Sequence, residues 1–167
     1  GHHRSASAVR VGAERRAANP DHTGQEEYNW FLTVIFPAST LQILPYNRVV
    51  NDLNGRSEEK FLNEIRALFT VTEDAPPSPS APRQISMYLG KKWYGLSWPE
   101  DPAANPVEKL DVSKLQNTVL QPLLGIDDPR TSQRIQFIGG IRGPQELVRL
   151  VDEKGAAVAF SMYPTTV

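Results

Sequence analysis

The chain has no cysteine, no long apolar run and little net charge, and each of these absences argues against a class of chemistry or of binding partner. Without cysteine, disulfides, thiolate catalysis and cysteine-bound metals are excluded, which fits the reducing environment of the cytoplasm. No apolar run approaches the roughly 20 residues that a membrane-spanning helix needs, so no membrane partner is expected. The formal net charge of −1 gives no general basic field, which argues against a nucleic-acid partner.

The remaining composition is that of a cytoplasmic globular protein. A length of 167 residues, 40% of them hydrophobic and 22% charged, predicts a single domain over 1–167 or a fragment of a larger one. Helical and strand patterns alternate irregularly, which predicts an α+β fold with a mixed sheet and packed helices. The proline-rich segments 73–83 and 99–106 are expected to be mobile surface loops. The sequence does not indicate an oligomeric state.

The first quarter of the chain predicts one helix followed by two strands. Small apolar residues recur at helical spacing, which predicts a helix from about residue 4 to residue 18. Residues 28–36 are aromatic or β-branched and uncharged, which predicts a buried strand. Residues 41–44 form a second short strand, so that the two could pair as a hairpin. His22, in the polar segment between helix and strand, is expected to be a solvated loop histidine.

Later segments carry clear start and stop signals. The predicted elements are a helix capped by Ser57, a hairpin of residues 85–89 and 92–96, a helix capped by Asp111, a helix that starts at Pro144 and a last strand over 156–162. The hairpin turns at Gly90-Lys91, and glycine in the first position predicts a type II′ turn.

The stretch Gly1-His2-His3-Arg4 stands directly before the first helical pattern and is the first candidate site. A helix start offers free N–H groups and the positive end of the helix dipole, which together favour phosphate. Gly1 would let a phosphate approach the backbone, Arg4 would clamp it, and His2 or His3 could transfer a proton near neutral pH. Two other interpretations remain open, namely the remnant of an expression tag and a metal site.

Tyr46-Asn47-Arg48 places three polar side chains between apolar runs and is the second candidate site. Tyr46 and Asn47 could line a polar pocket in which Arg48 binds phosphate or carboxylate. Alternatively, Arg48 pairs with a carboxylate of the chain and Tyr46 packs.

Two further clusters lie in the last third of the chain. Asp127 and Asp128, beside Arg130, could hold Mg²⁺ or act as a general base. The same residues could equally form a capped, salt-bridged turn. Arg142, among glycines just before the predicted helix at Pro144, could form a second anion site.

Gly1-His2-His3-Arg4, with Ala6 and Ala8 after it, resembles the Gly-x-x-Arg signature of the ParB/sulfiredoxin superfamily. In that superfamily the motif begins a helix and contacts nucleotide phosphates. Sulfiredoxins carry a catalytic cysteine at the position of His2, so the resemblance extends to the fold and not to their chemistry. The motif is most similar to that of the free-serine kinases of the superfamily, which read Asp-Gly-His-His-Arg.

Longer strings resemble the uncharacterised bacterial domain-of-unknown-function family 1015. They are Phe31-Leu32-Thr33-Val34-Ile35-Phe36, Ile43-Leu44-Pro45-Tyr46-Asn47-Arg48, Asp52-Leu53-Asn54-Gly55, Leu124-Gly125-Ile126-Asp127-Asp128-Pro129-Arg130-Thr131 and Gly139-Gly140-Ile141-Arg142-Gly143. The resemblance implies no reaction. Members of that family are longer at both ends, so the chain is expected to be an internal fragment.

The working hypothesis is that these clusters meet in one phosphate-binding pocket. Arg4 and Arg142 would hold phosphate, a histidine or an aspartate would act as base, and Mg²⁺ would bridge. Such a pocket suits nucleotide-dependent phosphoryl transfer, with the protein acting as a kinase of a small hydroxylated metabolite. The alternative is a non-catalytic module of ParB-like type that senses a nucleotide or binds a partner or DNA.

Overall fold

The structure, a computed structural model, describes residues 2–165. They fall into two compact units, Gly1–Leu41 and Gln42–Val167. Within this described range, no helix is both long and apolar enough to cross a membrane. The fold class is α+β, as the alternation of patterns predicts.

The N-terminal unit is built around helix α1, His2–Ala17. The helix confirms the prediction from small-residue spacing, and it ends before Asn19-Pro20 because a residue that precedes proline avoids helical geometry. Two short 3₁₀ turns follow, Glu27–Asn29 and Ala38–Thr40. None of the α1 residues is buried, so its predicted apolar face stays accessible.

The predicted strand over residues 28–36 is wrong, and so is its partner over 41–44. Residues 30–36 have extended backbone but belong to no strand, and Leu32 and Ile35 are 92% and 87% exposed. An aromatic, β-branched run favours extended conformation, but a strand also needs a neighbour that satisfies its N–H and C=O groups. No described segment supplies that neighbour.

The C-terminal unit is a six-stranded sheet in the order β2-β4-β3-β6-β1-β5. The strands are β1 Tyr46–Val50, β2 Thr70–Glu73, β3 Gln84–Leu89, β4 Lys92–Ser97, β5 Ile135–Gly139 and β6 Val158–Met162. Every described strand pairing is antiparallel, so the sheet is antiparallel rather than mixed as predicted. The α+β class is unaffected. Its first strand, β1, is an interior strand between β6 and β5.

Both sheet faces are covered by helices. The larger core contains Val50, Phe160 and the buried face of α2, Glu58–Leu68. The smaller core contains Val49, Ala159 and residues of α4, Gly143–Asp152. Because successive side chains of a strand point to opposite faces, Val49 and Val50 enter different cores.

Local sequence signals explain most of these elements. The Ser57 hydroxyl accepts a hydrogen bond from the N–H of Lys60 at 3.2 Å, which confirms the predicted cap of α2. The β3–β4 hairpin has the predicted register, with Met87 opposite Tyr94. Its turn differs, because Gly90 and Lys91 both have positive φ, at 56° and 64°. Two positive φ values define a type I′ turn rather than the predicted type II′ turn.

The predicted helix from Asp111 is short and changes pitch. Helix α3 covers Asp111–Leu115 and continues as a π-helix over Gln116–Leu120. Asp111 is not its N-cap, because Leu110 holds that position. Instead, the Asp111 carboxylate accepts a hydrogen bond from the N–H of Arg83 at 3.0 Å, and burial raises the pKa of this carboxyl.

Candidate functional site

The start of α1 groups two imidazoles and one guanidinium within a single turn. His2, His3 and Arg4 form its exposed first turn, which contains no acidic residue. The two imidazole rings lie 4.2 Å apart. Within residues 2–165, Arg4 makes no salt bridge, so the positive end of the helix is not neutralised by the chain. Gly1, the predicted phosphate-approach residue, lies outside the described residues.

A groove of about 360 Å³ runs along α1, starting at Ser5, directly after this first turn. It lies between α1 and residues 28–31, and Val9 and Trp30 form part of its walls. A Cβ atom at Gly12 would lie 3.0 Å from the carbonyl oxygen of Tyr28. Gly12 therefore allows α1 and residues 28–31 to approach closely. This close approach explains why glycine, a poor helix former, stands inside α1.

A hydrogen-bonded cluster in the same unit was not predicted. His22 is only 17% exposed, and its Nδ1 lies 2.9 Å from a Glu26 carboxylate oxygen and 3.0 Å from the Tyr28 hydroxyl. It is therefore not a solvated loop histidine. The backbone N–H of Thr23 donates to Glu26 and lowers its pKa to about 2, so the carboxylate is ionised across the physiological range. The i, i+4 spacing of His22 and Glu26 was the signal available in the sequence.

Tyr46 and Arg48 lie on one face of β1, and Asn47 lies on the other. The Arg48 guanidinium stacks 4.5 Å from the Phe137 ring centroid and donates to the Tyr46 carbonyl oxygen. It has no carboxylate partner among the described residues, and burial lowers its pKa to about 10. Asn47 is 2% exposed, and its Oδ1 accepts a hydrogen bond from the N–H of Met162 at 2.9 Å. Asn47 therefore links β1 to β6.

The segment around Asp128 has the geometry of a salt-bridged turn. Arg130 donates to both Asp128 oxygens, at 3.0 and 2.9 Å, and these bonds lower the pKa of Asp128. The backbone oxygen of Asp127 accepts from the Gln116 amide at 3.3 Å. In the part of the chain that is described, no three carboxylate or imidazole groups could hold a metal together. Arg130 thus occupies the Asp128 carboxylate within the chain.

Arg142 stands immediately before α4, at the predicted helix start. Its guanidinium lies 3.6 Å from Glu146, whose carboxylate also accepts two hydrogen bonds of 2.8 Å from Arg149. The chain thus supplies its own anion to this helix start, and a phosphate would compete with it. Arg142 follows one end of β5, whereas Asp127 and Asp128 precede the other.

The described residues define an α+β protein with an exposed, acid-free helix start at its N-terminal side. Residues 1–113 match the family model described as Protein of unknown function (DUF1015), and the chain belongs to that family. Three of the five strings that resemble family 1015 lie within the range that the family model matches, whereas those at 124–131 and 139–143 lie outside it. The matched range contains α1, β1 and the β3–β4 hairpin, and it ends inside α3. No curated protein and no solved structure matches the chain.

Proposed function

We propose that this DUF1015 protein binds the phosphate group of a nucleotide or small metabolite at the start of α1. The observation that carries the proposal is a first turn with two imidazoles, one guanidinium and no acidic residue, in which Arg4 makes no salt bridge to any residue of 2–165. The backbone N–H groups of this turn and the Arg4 guanidinium are donors that complement a phosphate. The resemblance of the motif to phosphate-contacting Gly-x-x-Arg sequences points to the same ligand.

We further propose that the terminal phosphoryl group of a bound nucleotide is transferred to the hydroxyl oxygen of a small acceptor, and that the nucleotide shortened by one phosphate is the leaving group. His2 or His3 would remove the proton of the acceptor hydroxyl, since a neutral imidazole nitrogen can accept a proton. Positioning and charge stabilisation supply most of the catalysis in phosphoryl transfer, so a cationic helix start suits the reaction. Asp127 and Asp128 take no part in this proposal, because Arg130 engages the Asp128 carboxylate.

Titration calorimetry with inorganic phosphate, ADP and ATP tests the binding step. Arg4→Ala is expected to weaken phosphate-dependent binding about tenfold or more, because a charge-assisted hydrogen bond is lost. Arg10→Ala is the matched control, since Arg10 lies on the same exposed helix beyond its first turn. Equal weakening by both variants would mean that general positive charge, rather than the helix start, attracts the ligand.

Turnover separates an enzyme from a nucleotide sensor. With ATP or ADP and a panel of small alcohols, a kinase forms a phosphorylated product, and His2→Gln or His3→Gln reduces kcat more than nucleotide affinity. Binding without turnover for the whole panel would favour the non-catalytic alternative. Absence of binding by phosphate and by both nucleotides would overturn the proposed site itself.

A further inference from the structure

A second cavity lies entirely within the C-terminal unit and is independent of the proposed function. This Trp98 cleft has a volume of about 420 Å³, within the range of small-molecule sites. It is formed by the end of the β3–β4 hairpin, the loop after β4 and the helix that begins at Asp111. The residues that matter for its chemistry are Arg83, Trp98, Glu100, Lys109, Lys114 and Asn117.

One wall of the Trp98 cleft is the π-helix Gln116–Leu120, which contributes Asn117 and Thr118. The widened turn is closed by a hydrogen bond from the N–H of Gln121 to the carbonyl oxygen of Gln116 at 3.0 Å. π-helical turns account for well under 1% of residues in proteins and are found frequently at functional sites. The π-helix therefore indicates, independently of the cavity volume, that this cleft is a ligand-binding site.

The acidic groups of the cleft already have partners. The Glu100 carboxylate lies 3.6 Å from Arg83 and 3.5 Å from Lys109. Asp101 accepts the backbone N–H of Ala103, and Glu108 accepts that of Asn105, each at 2.9 Å. Glu100 is thus paired with two basic side chains, and one oxygen of each of the other two carboxylates is engaged by the backbone.

Lys114 is the basic group of the cleft that lacks a carboxylate. Within residues 2–165 it makes no salt bridge, and its Nζ lies 5.8 Å from the centroid of the Phe69 ring. Lys114 is also a partly buried residue. The three basic and three acidic side chains of the cleft sum to zero formal charge, which disfavours a ligand with several negative charges. Among these basic side chains, Lys114 alone lacks a carboxylate partner within residues 2–165, so a ligand with one negative charge suits the cleft.

The remaining wall is apolar. Trp98 is partly buried and packs edge-on against Phe69, with ring centroids 5.6 Å apart, so the indole has a fixed orientation. An apolar body that covers this indole would remove it from water. We propose that the Trp98 cleft binds a small monocarboxylic acid with an apolar or aromatic body. Its carboxylate accepts hydrogen bonds from Lys114 and Asn117, and its body packs on Trp98.

NMR titration of the whole chain with phenylacetate, benzoate and hexanoate tests this proposal. The indole N–H signal of Trp98, identified by its loss in Trp98→Phe, is expected to shift saturably with at least one acid at concentrations up to about 10 mM. The neutral phenylacetamide, of the same shape as phenylacetate, is expected to bind about tenfold more weakly, since it offers no charge to Lys114. ATP is expected to leave this signal in place.

Two variants complete the test. Lys114→Gln is expected to weaken acid binding about tenfold, whereas Lys154→Gln, an exposed lysine after α4, leaves it unchanged. Equal affinity for phenylacetate and phenylacetamide, or no shift with any of the three acids, would overturn the proposal. So would an ATP response as strong as that of the acids. If Lys114→Gln fails to fold, the comparison of phenylacetate with phenylacetamide on the unaltered chain still tests whether the cleft requires a negative charge.

Discussion

Arg134 donates two hydrogen bonds to the carboxylate of Asp52, one of them 2.8 Å long, and so ties the end of β1 to the residue before β5. The same carboxylate accepts the N–H of Asn54 at 2.9 Å. Both partners are partly solvated, with side chains 33% and 49% exposed, so the pair stabilises the fold modestly. Its position matters because β1 is interior to the sheet and β5 is an edge strand.

Replacing Asp52 by asparagine is expected to lower the free energy of unfolding by about 1 kcal/mol. Arg134→Gln should have a similar effect, because it removes the same two hydrogen bonds. Urea unfolding of the single and double variants measures the coupling. The loss of unfolding free energy in the double variant should be clearly smaller than the sum of the losses in the two single variants. Strict additivity of these losses would show that the two side chains do not interact.

The stability that Asp52 contributes should depend on pH. The Arg134 hydrogen bonds lower the Asp52 pKa below the ordinary value of an aspartate, so the folded state favours the ionised form. The contribution is complete above the unfolded-state pKa and is lost as pH falls through the lower, folded-state pKa. The stability difference between the unaltered chain and Asp52→Asn should be constant from about pH 5 to 7 and shrink below about pH 4. A difference that grows on acidification would contradict this assignment.

Adjacent glycines offer a matched test of packing beside β5. A Cβ atom at Gly140 would lie 2.5 Å from the Pro45 ring and 2.7 Å from its carbonyl oxygen, whereas a Cβ at Gly139 meets no atom within 4 Å. Gly140→Ala is therefore expected to cost about 2 kcal/mol of unfolding free energy. Gly139→Ala should change stability by less than about 0.5 kcal/mol. Thermal or urea unfolding compares them, and equal effects would mean that the Pro45 contact adjusts without cost.

Asn47 can be assigned to folding or to ligand binding by one substitution. Asn47→Ala leaves the buried N–H of Met162 without its acceptor and is expected to cost about 1–3 kcal/mol. Asn63→Ala, on the exposed side of α2, is the control and should be nearly neutral. Phosphate and nucleotide affinity should be unchanged while Asn47→Ala remains folded. Weaker phosphate or nucleotide binding by folded Asn47→Ala would instead show that Asn47 contributes to the ligand pocket predicted from the sequence.

The sequence predicts best those elements whose signals are local. Helix α2 has a capping serine, acidic first-turn residues and a helical apolar face, and all of these lie within one segment. The β3–β4 register follows from a two-residue turn between alternating strands. The start of α1 was predictable for the same reason, because small-residue spacing and the His2-His3-Arg4 stretch are adjacent in the chain.

Features that depend on distant residues were not predictable. Residues 30–36 have strand-like composition, but composition cannot tell whether another segment will satisfy the backbone. Lys91 adopts a left-handed conformation that its residue type disfavours, so the turn type was missed. The partner of Asn47 likewise lies far along the chain, whereas those of Asp128 and Arg142 are two and four residues away. Their side chains suggest chemistry in the sequence, whereas in the structure they engage Arg130, Glu146 and the Met162 backbone.

The position of β1 has a consequence for how the protein is made. During synthesis, β1 emerges long before its two neighbours, which are residues 135–139 and 158–162. The β3–β4 hairpin, by contrast, can close as soon as residue 97 is available. Non-local pairing slows folding, so both edges of β1 stay unpaired until these later residues have been synthesised. Unpaired strand edges are open to mispairing during that interval.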